Sequence, residues 1–89
     1  MIFTVKFEVK ALSDIKKITK SGKLTDIRKL ENILEELKIH PYFGTGHPEP
    51  LKHNLSGYWS RKLNKKDRII YQILEDEVIV VVVSALGHY

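Results

Sequence analysis

The sequence contains no cysteine, which excludes disulfide staples, thiolate nucleophiles and cysteine-held metals. That absence fits a reducing compartment. Long apolar runs are missing too. The longest, Val78–Val83, falls far short of the roughly 20 residues a membrane helix needs. The opening stretch MIFTVKFEVK alternates apolar and charged residues and does not read as a signal peptide. The expected location is therefore cytoplasmic. Repeats and low-complexity tracts are absent. Proline and glycine are scarce, yet all three prolines and three of the five glycines fall between residues 41 and 57. Punctuation so concentrated marks one long loop, and such loops in compact domains usually carry function.

What remains is ordinary globular material. A hydrophobic fraction of 43% with 29% charged residues can bury a core, and the length allows one domain, residues 1–89. The net charge of +4 is unevenly spread. Residues 1–49 carry nine basic and seven acidic groups, residues 75–89 carry only three acids, and residues 50–74 carry six basic groups against Asp67. A central block at +5 is what a phosphate-meeting surface requires, although a solvated face has the same composition.

Periodicity gives the elements. Phe3, Val5, Phe7 and Val9 alternate with polar residues, as in a half-buried strand. Leu12, Ile15 and Ile18 fall at helical spacing, and Ser21-Gly22 stops that helix. A second helix is expected to open with Thr25 as N-cap and Asp26 behind it. It places Ile27, Leu30, Ile33, Leu34 and Leu37 on one stripe and ends at Pro41. Three strands follow, Tyr58–Leu63, Arg68–Leu74 and Val78–Ala85, joined by short polar connections. The Ile/Val-rich last strand belongs inside the sheet. The fold class is α+β, in the order β-α-α-β-β-β, with two N-terminal helices on one face of a mostly antiparallel sheet.

This topology gathers charge. In an antiparallel meander, Arg68 at the start of one strand lies beside the end of the next, where His88 and Tyr89 follow. Arg61 and Lys62 reach the same end. Alternation puts Tyr58, Ser60 and Lys62 on one face and Trp59 and Leu63 on the other. Lys62 is thus expected to point away from the helices, with Arg61 less determined. Periodicity does not place Glu49, which sits between two prolines in the loop. An open face with cations, a histidine and aromatics suits a single nucleic-acid strand.

The segment GTGHPEPLKHNLSGYWSRKL, followed by RIIY and a terminal HY, strongly resembles the YoeB family of bacterial toxins, within the RelE-like superfamily. The resemblance is dense over residues 44–71 and at the last two positions. It implies a RelE-like fold and a ribosome-dependent endoribonuclease, or mRNA interferase, of a type II toxin–antitoxin system. The implied catalytic residues are Glu49, Arg68, His88 and Tyr89, and the implied RNA-binding residues are Lys52, Arg61 and Lys62. The implied partners are a YefM-like antitoxin and the ribosome carrying mRNA; a homodimer is compatible with the reading. Two departures stand out. Lys62 occupies a position where relatives often carry arginine, and the stretch SALG before the terminal pair is somewhat longer than in well-known members and lacks their adjacent basic residue.

The chemistry needs no cofactor or metal. RNA is cleaved when its own 2′-hydroxyl attacks the adjacent phosphate, given a base, a cation and an acid. Glu49, Arg68 and His88 supply one of each. The spacing of His40, His47 and His53 matches no usual metal-ligand pattern, and Gly44-Thr45-Gly46 lacks the context of a phosphate loop. The alternatives are a non-nucleolytic superfamily toxin, such as a gyrase poison, and a plain RNA-binding module.

Overall fold

The computed structural model describes residues 1–87. Strand β1 (Thr4–Phe7) leads into helix α1 (Val9–Ser21) and helix α2 (Leu24–Leu37). A two-residue strand β2 (Glu49–Pro50) precedes β3 (Tyr58–Lys62), β4 (Arg68–Leu74) and β5 (Ile79–Gly87). The strand order is β1-β5-β4-β3-β2, with β1 parallel to β5 and every other neighbour antiparallel. This is the expected α+β arrangement with one strand added.

Both helices turn their apolar sides to one face of the sheet. Leu30, Ile33 and Leu37 of α2 pack with Ile69, Tyr71, Val80 and Val82, all buried. On α1 the buried positions are Ala11, Asp14 and Ile18, whereas Leu12 is more than half exposed. Ile18 is buried and Ile15 packs partly buried against the core, so the expected stripe holds except at Leu12, and it admits an aspartate. Gly22 ends α1 in the left-handed conformation (φ 72°), donating to the Thr19 carbonyl at 3.4 Å, a backbone state that favours glycine. Lys23, not Thr25, is the N-cap of α2, which begins a residue before Thr25. Asp26 still lies in its first turn, where negative charge meets the positive end of the helix.

β5 has its expected interior place between β1 and β4. The β3–β4 turn is closed by Asn64, whose Oδ1 accepts from the backbone N–H of Lys66 at 2.9 Å and of Asp67 at 2.7 Å. Such local side-chain bonds are what asparagine offers in a turn. No helix among the described residues is long and apolar enough to cross a membrane.

Candidate active site

Cross-strand pairing sorts the side chains by face. Ser60 opposes Glu49 on one side and Ile70 on the other, while Lys62 opposes Arg68, and Arg68 opposes Gly87. Directly paired residues share a face, so Glu49, Lys62 and Arg68 all project from the side away from the helices. The expectation that Lys62 points outward holds.

Glu49 was expected in a loop. It lies instead in β2, an edge strand whose pairing continues through the Leu51 N–H to the Tyr58 carbonyl at 2.8 Å. Pro50 has no N–H to donate and is tolerated only at such an edge. The result is a short, stiff support that brings Glu49 to Arg68, with Nη1 and Oε1 3.3 Å apart. Both side chains remain partly exposed, at 43% and 27%. The pair sits between two concavities. One, of about 430 Å³, is lined by residues 49–55 and includes Lys52. The other, of about 470 Å³, is lined by Lys29, Lys62, Asn64, Lys65 and Arg68. Lys29 comes from α2 and was missed in the sequence, because one lysine on an amphipathic helix reads as an ordinary solvated charge.

Arg61 requires a correction. Expected to touch RNA, it is fully buried on the helix side of the sheet. Its Nη1 donates to Glu36 Oε1 at 2.6 Å and to the Thr45 carbonyl at 3.3 Å. Its Nη2 donates to the carbonyls of His40 at 2.8 Å and Phe43 at 2.9 Å, and its Nε to the Tyr71 hydroxyl at 3.1 Å. The reason is the strand period. Arg61 opposes Ile69 and shares the face of Trp59, Leu63 and Tyr71. All five N–H groups are used, so the guanidinium serves as the hub of residues 40–45. Glu36 completes it by accepting from the Thr45 N–H at 2.7 Å. Burial alone raises the Glu36 carboxyl, but the bonds from Thr45 and Arg61 outweigh it and hold its pKa below the ordinary 4.5. The hub also fixes the approach to β2. The Gly46 carbonyl accepts from the Lys62 N–H at 2.6 Å, and a Cβ on Gly46 would lie 2.8 Å from the Lys62 oxygen.

The remaining expectations divide as follows. Tyr71 is fully buried, and Trp59 packs half-buried against the core with Tyr42 edge-on at 5.4 Å. Both belong to the core. His40 donates to the Phe43 carbonyl and stacks on its ring at 4.5 Å. No cluster of metal-ligating side chains occurs among the described residues. Gly87, opposite Arg68, brings the chain that enters residues 88 and 89 to the expected end of the sheet; His88 and Tyr89 themselves lie outside the described residues.

What the face offers chemically is a carboxylate against a guanidinium, flanked by lysines on an open surface. Such a site attracts a phosphodiester and holds a proton acceptor beside it. Comparison with known proteins gives the family. Residues 7–89 match the family described as the YoeB-like toxin of bacterial type II toxin–antitoxin systems. The chain is 39% identical over 54 residues to Toxin YoeB of Escherichia coli O6:H1 (strain CFT073), an alignment that spans 61% of this chain and 64% of that relative. A YoeB dimer from Staphylococcus aureus superposes with a TM-score of 0.81 at 28% identity, covering all of both chains. YoeB from the heterotetrameric YoeB–YefM complex of the same organism gives 0.79 at 27%, again over both whole chains.

Proposed function

Because this chain belongs to the YoeB-like toxins of bacterial type II toxin–antitoxin systems, we propose that it is a ribosome-dependent endoribonuclease that cuts mRNA and so halts translation in the bacterial cytoplasm. The observation that carries the proposal is the contact between Glu49 and Arg68 on the uncovered face of the sheet. An incoming phosphate competes for the Arg68 guanidinium and loosens its hold on Glu49. The carboxylate then takes the proton of the 2′-hydroxyl, and the oxygen attacks the adjacent phosphorus. Arg68 stabilises the extra negative charge of the phosphorane. His88 protonates the departing 5′-oxygen, and Tyr89 is the remaining catalytic residue. Lys52 and Lys62 hold the flanking backbone from the two concavities. No step calls for a metal or cofactor.

Acid–base assistance contributes roughly 10²–10⁴-fold, and one charge-stabilising group a comparable factor. The ribosome adds orientation by presenting the message in a fixed conformation. The open basic face also requires a cover when the toxin is idle. A YefM-like antitoxin whose flexible segment folds over it meets that need, as the complex formed by the Staphylococcus aureus relative suggests. A homodimer is a second assembly open to it, since another relative forms one. The test is to incubate the protein with ribosomes programmed with a defined message and map the mRNA ends. New ends at a fixed position within the decoding site are expected. Intact message overturns the proposal, and inhibition without cutting points to a binding protein or a toxin with another target.

A further inference from the structure

The β4–β5 ladder changes register twice on its way to Arg68. Tyr71 opposes Val82, Ile70 opposes Ser84, and Arg68 opposes Gly87. Five residue steps along β5 therefore face three along β4, and two surplus residues are carried as irregularities. Each surplus residue takes backbone groups out of the ladder, and a buried N–H without an acceptor is strongly unfavourable.

Asp14 supplies that acceptor. Its Oδ2 accepts the N–H of Ala85 and of Leu86, each at 3.1 Å, and the Ser84 hydroxyl at 3.2 Å. Lys10 holds the same oxygen at 2.5 Å and reaches Ser84 Oγ at 3.0 Å. The aspartate is 3% exposed, in the middle of α1. Gly87 completes the fit. A Cβ there would lie 2.6 Å from Ile70 Cδ1 and 3.0 Å from Ser84 Oγ, so any side chain would have to displace the tip of Ile70.

We infer that Asp14 is a positioning residue: by binding the irregular segment 84–86 it keeps the end of β5 opposite Arg68 in spite of the two surplus residues. This inference rests on the reading of Arg68 and the residues after Gly87 as parts of one RNA-cleaving site. Without the carboxylate, β5 slides toward a regular ladder. Each residue of slip moves the chain entering His88 by about 3.3 Å, and a one-residue slip also exchanges faces.

The test pairs Asp14→Ala and Asp14→Asn with a shortened chain lacking Ala85 and Leu86. That deletion removes the surplus and leaves Gly87 opposite Arg68 in a regular ladder. Register is read by NMR from the Arg68–Gly87 cross-strand contact, and cleavage from single-turnover rates on programmed ribosomes. In Asp14→Ala the contact is expected to disappear and the rate to fall by about 10²-fold, with half-saturating toxin concentration nearly unchanged. Asp14→Asn keeps an oxygen acceptor and retains both register and most of the rate. In the shortened chain Asp14→Ala is tolerated, even if the same change prevents the full chain from folding. Retention of the contact in Asp14→Ala overturns the inference whatever happens to cleavage, as does equal damage in the shortened chain. Lost register with an undiminished rate overturns the positioning role. Should the wild type not cut, the functional reading fails, while the register data still decide what Asp14 does.

Discussion

Replacing Arg61 with alanine removes the hub of residues 40–45 while leaving its partners in place. Glu36 keeps its Thr45 bonds, with 23% of its side chain exposed, but three backbone carbonyls and the Tyr71 hydroxyl lose a donor. Breaking a buried pair by deleting one partner costs about 3–5 kcal/mol. The solvent access and remaining bonds of Glu36 place this case at the lower end, about 3 kcal/mol. For a domain of this size each kcal/mol lowers Tm by about 4–8 °C, so the expected drop is about 12–24 °C. Arg61→Lys keeps charge but offers three donors in place of five, and it should fall between alanine and wild type. Calorimetric unfolding measures the loss, and single-stranded RNA binding by the folded fraction supplies the control. A surface arginine that merely touched RNA would change stability by less than about 0.5 kcal/mol and weaken binding. That outcome would refute the burial argument.

Acid should weaken the fold in a defined window. The Asp14 and Glu36 carboxyls both have folded pKa values below their ordinary 3.8 and 4.5. For Asp14, burial opposes this, but the Lys10 ammonium and the N–H groups of Ala85 and Leu86 prevail. Depressed carboxyls contribute stability above their unfolded values and lose it as pH falls through the folded ones. Urea midpoints should stay level above about pH 5 and fall below about 4.5, with a shallower acid slope in Glu36→Gln. Lys29→Ala should leave the fold intact and reduce the salt dependence of single-stranded RNA binding by about 0.7 in log–log slope. An unchanged slope would remove Lys29 from the RNA path.

The strand-helix-helix order, the meander and the Lys62–Arg68 end of the sheet were legible because binary patterning is a one-dimensional record of burial. Glu49 was not placeable, since β2 is two residues long and exists only through β3. Arg61 illustrates a different limit. Alternation left its face less determined than that of Lys62, and a buried cation is readable only once all of its acceptors are known, here three carbonyls, Glu36 and Tyr71. Asp14 escaped notice for the same reason. An aspartate on a helix reads as solvent-facing until the irregular strand that consumes its lone pairs is seen. Lys62 keeps its charge on the open face, and the SALG stretch coincides with the end of the irregular part of the ladder. The polar groups that organise the site were the hardest to read, because their partners are distant in sequence.

The central claim is that Glu49 and Arg68 act together on the RNA. Its most direct test is the single-turnover rate of mRNA cleavage on programmed ribosomes for wild type, Glu49→Gln, Arg68→Ala and the double variant. Each single change is expected to slow cleavage by about 10²–10³-fold with little change in unfolding temperature. The double variant should lose much less than the product of the two, as groups acting on one transition state do. Cleavage at the wild-type rate by Glu49→Gln or Arg68→Ala would contradict the account.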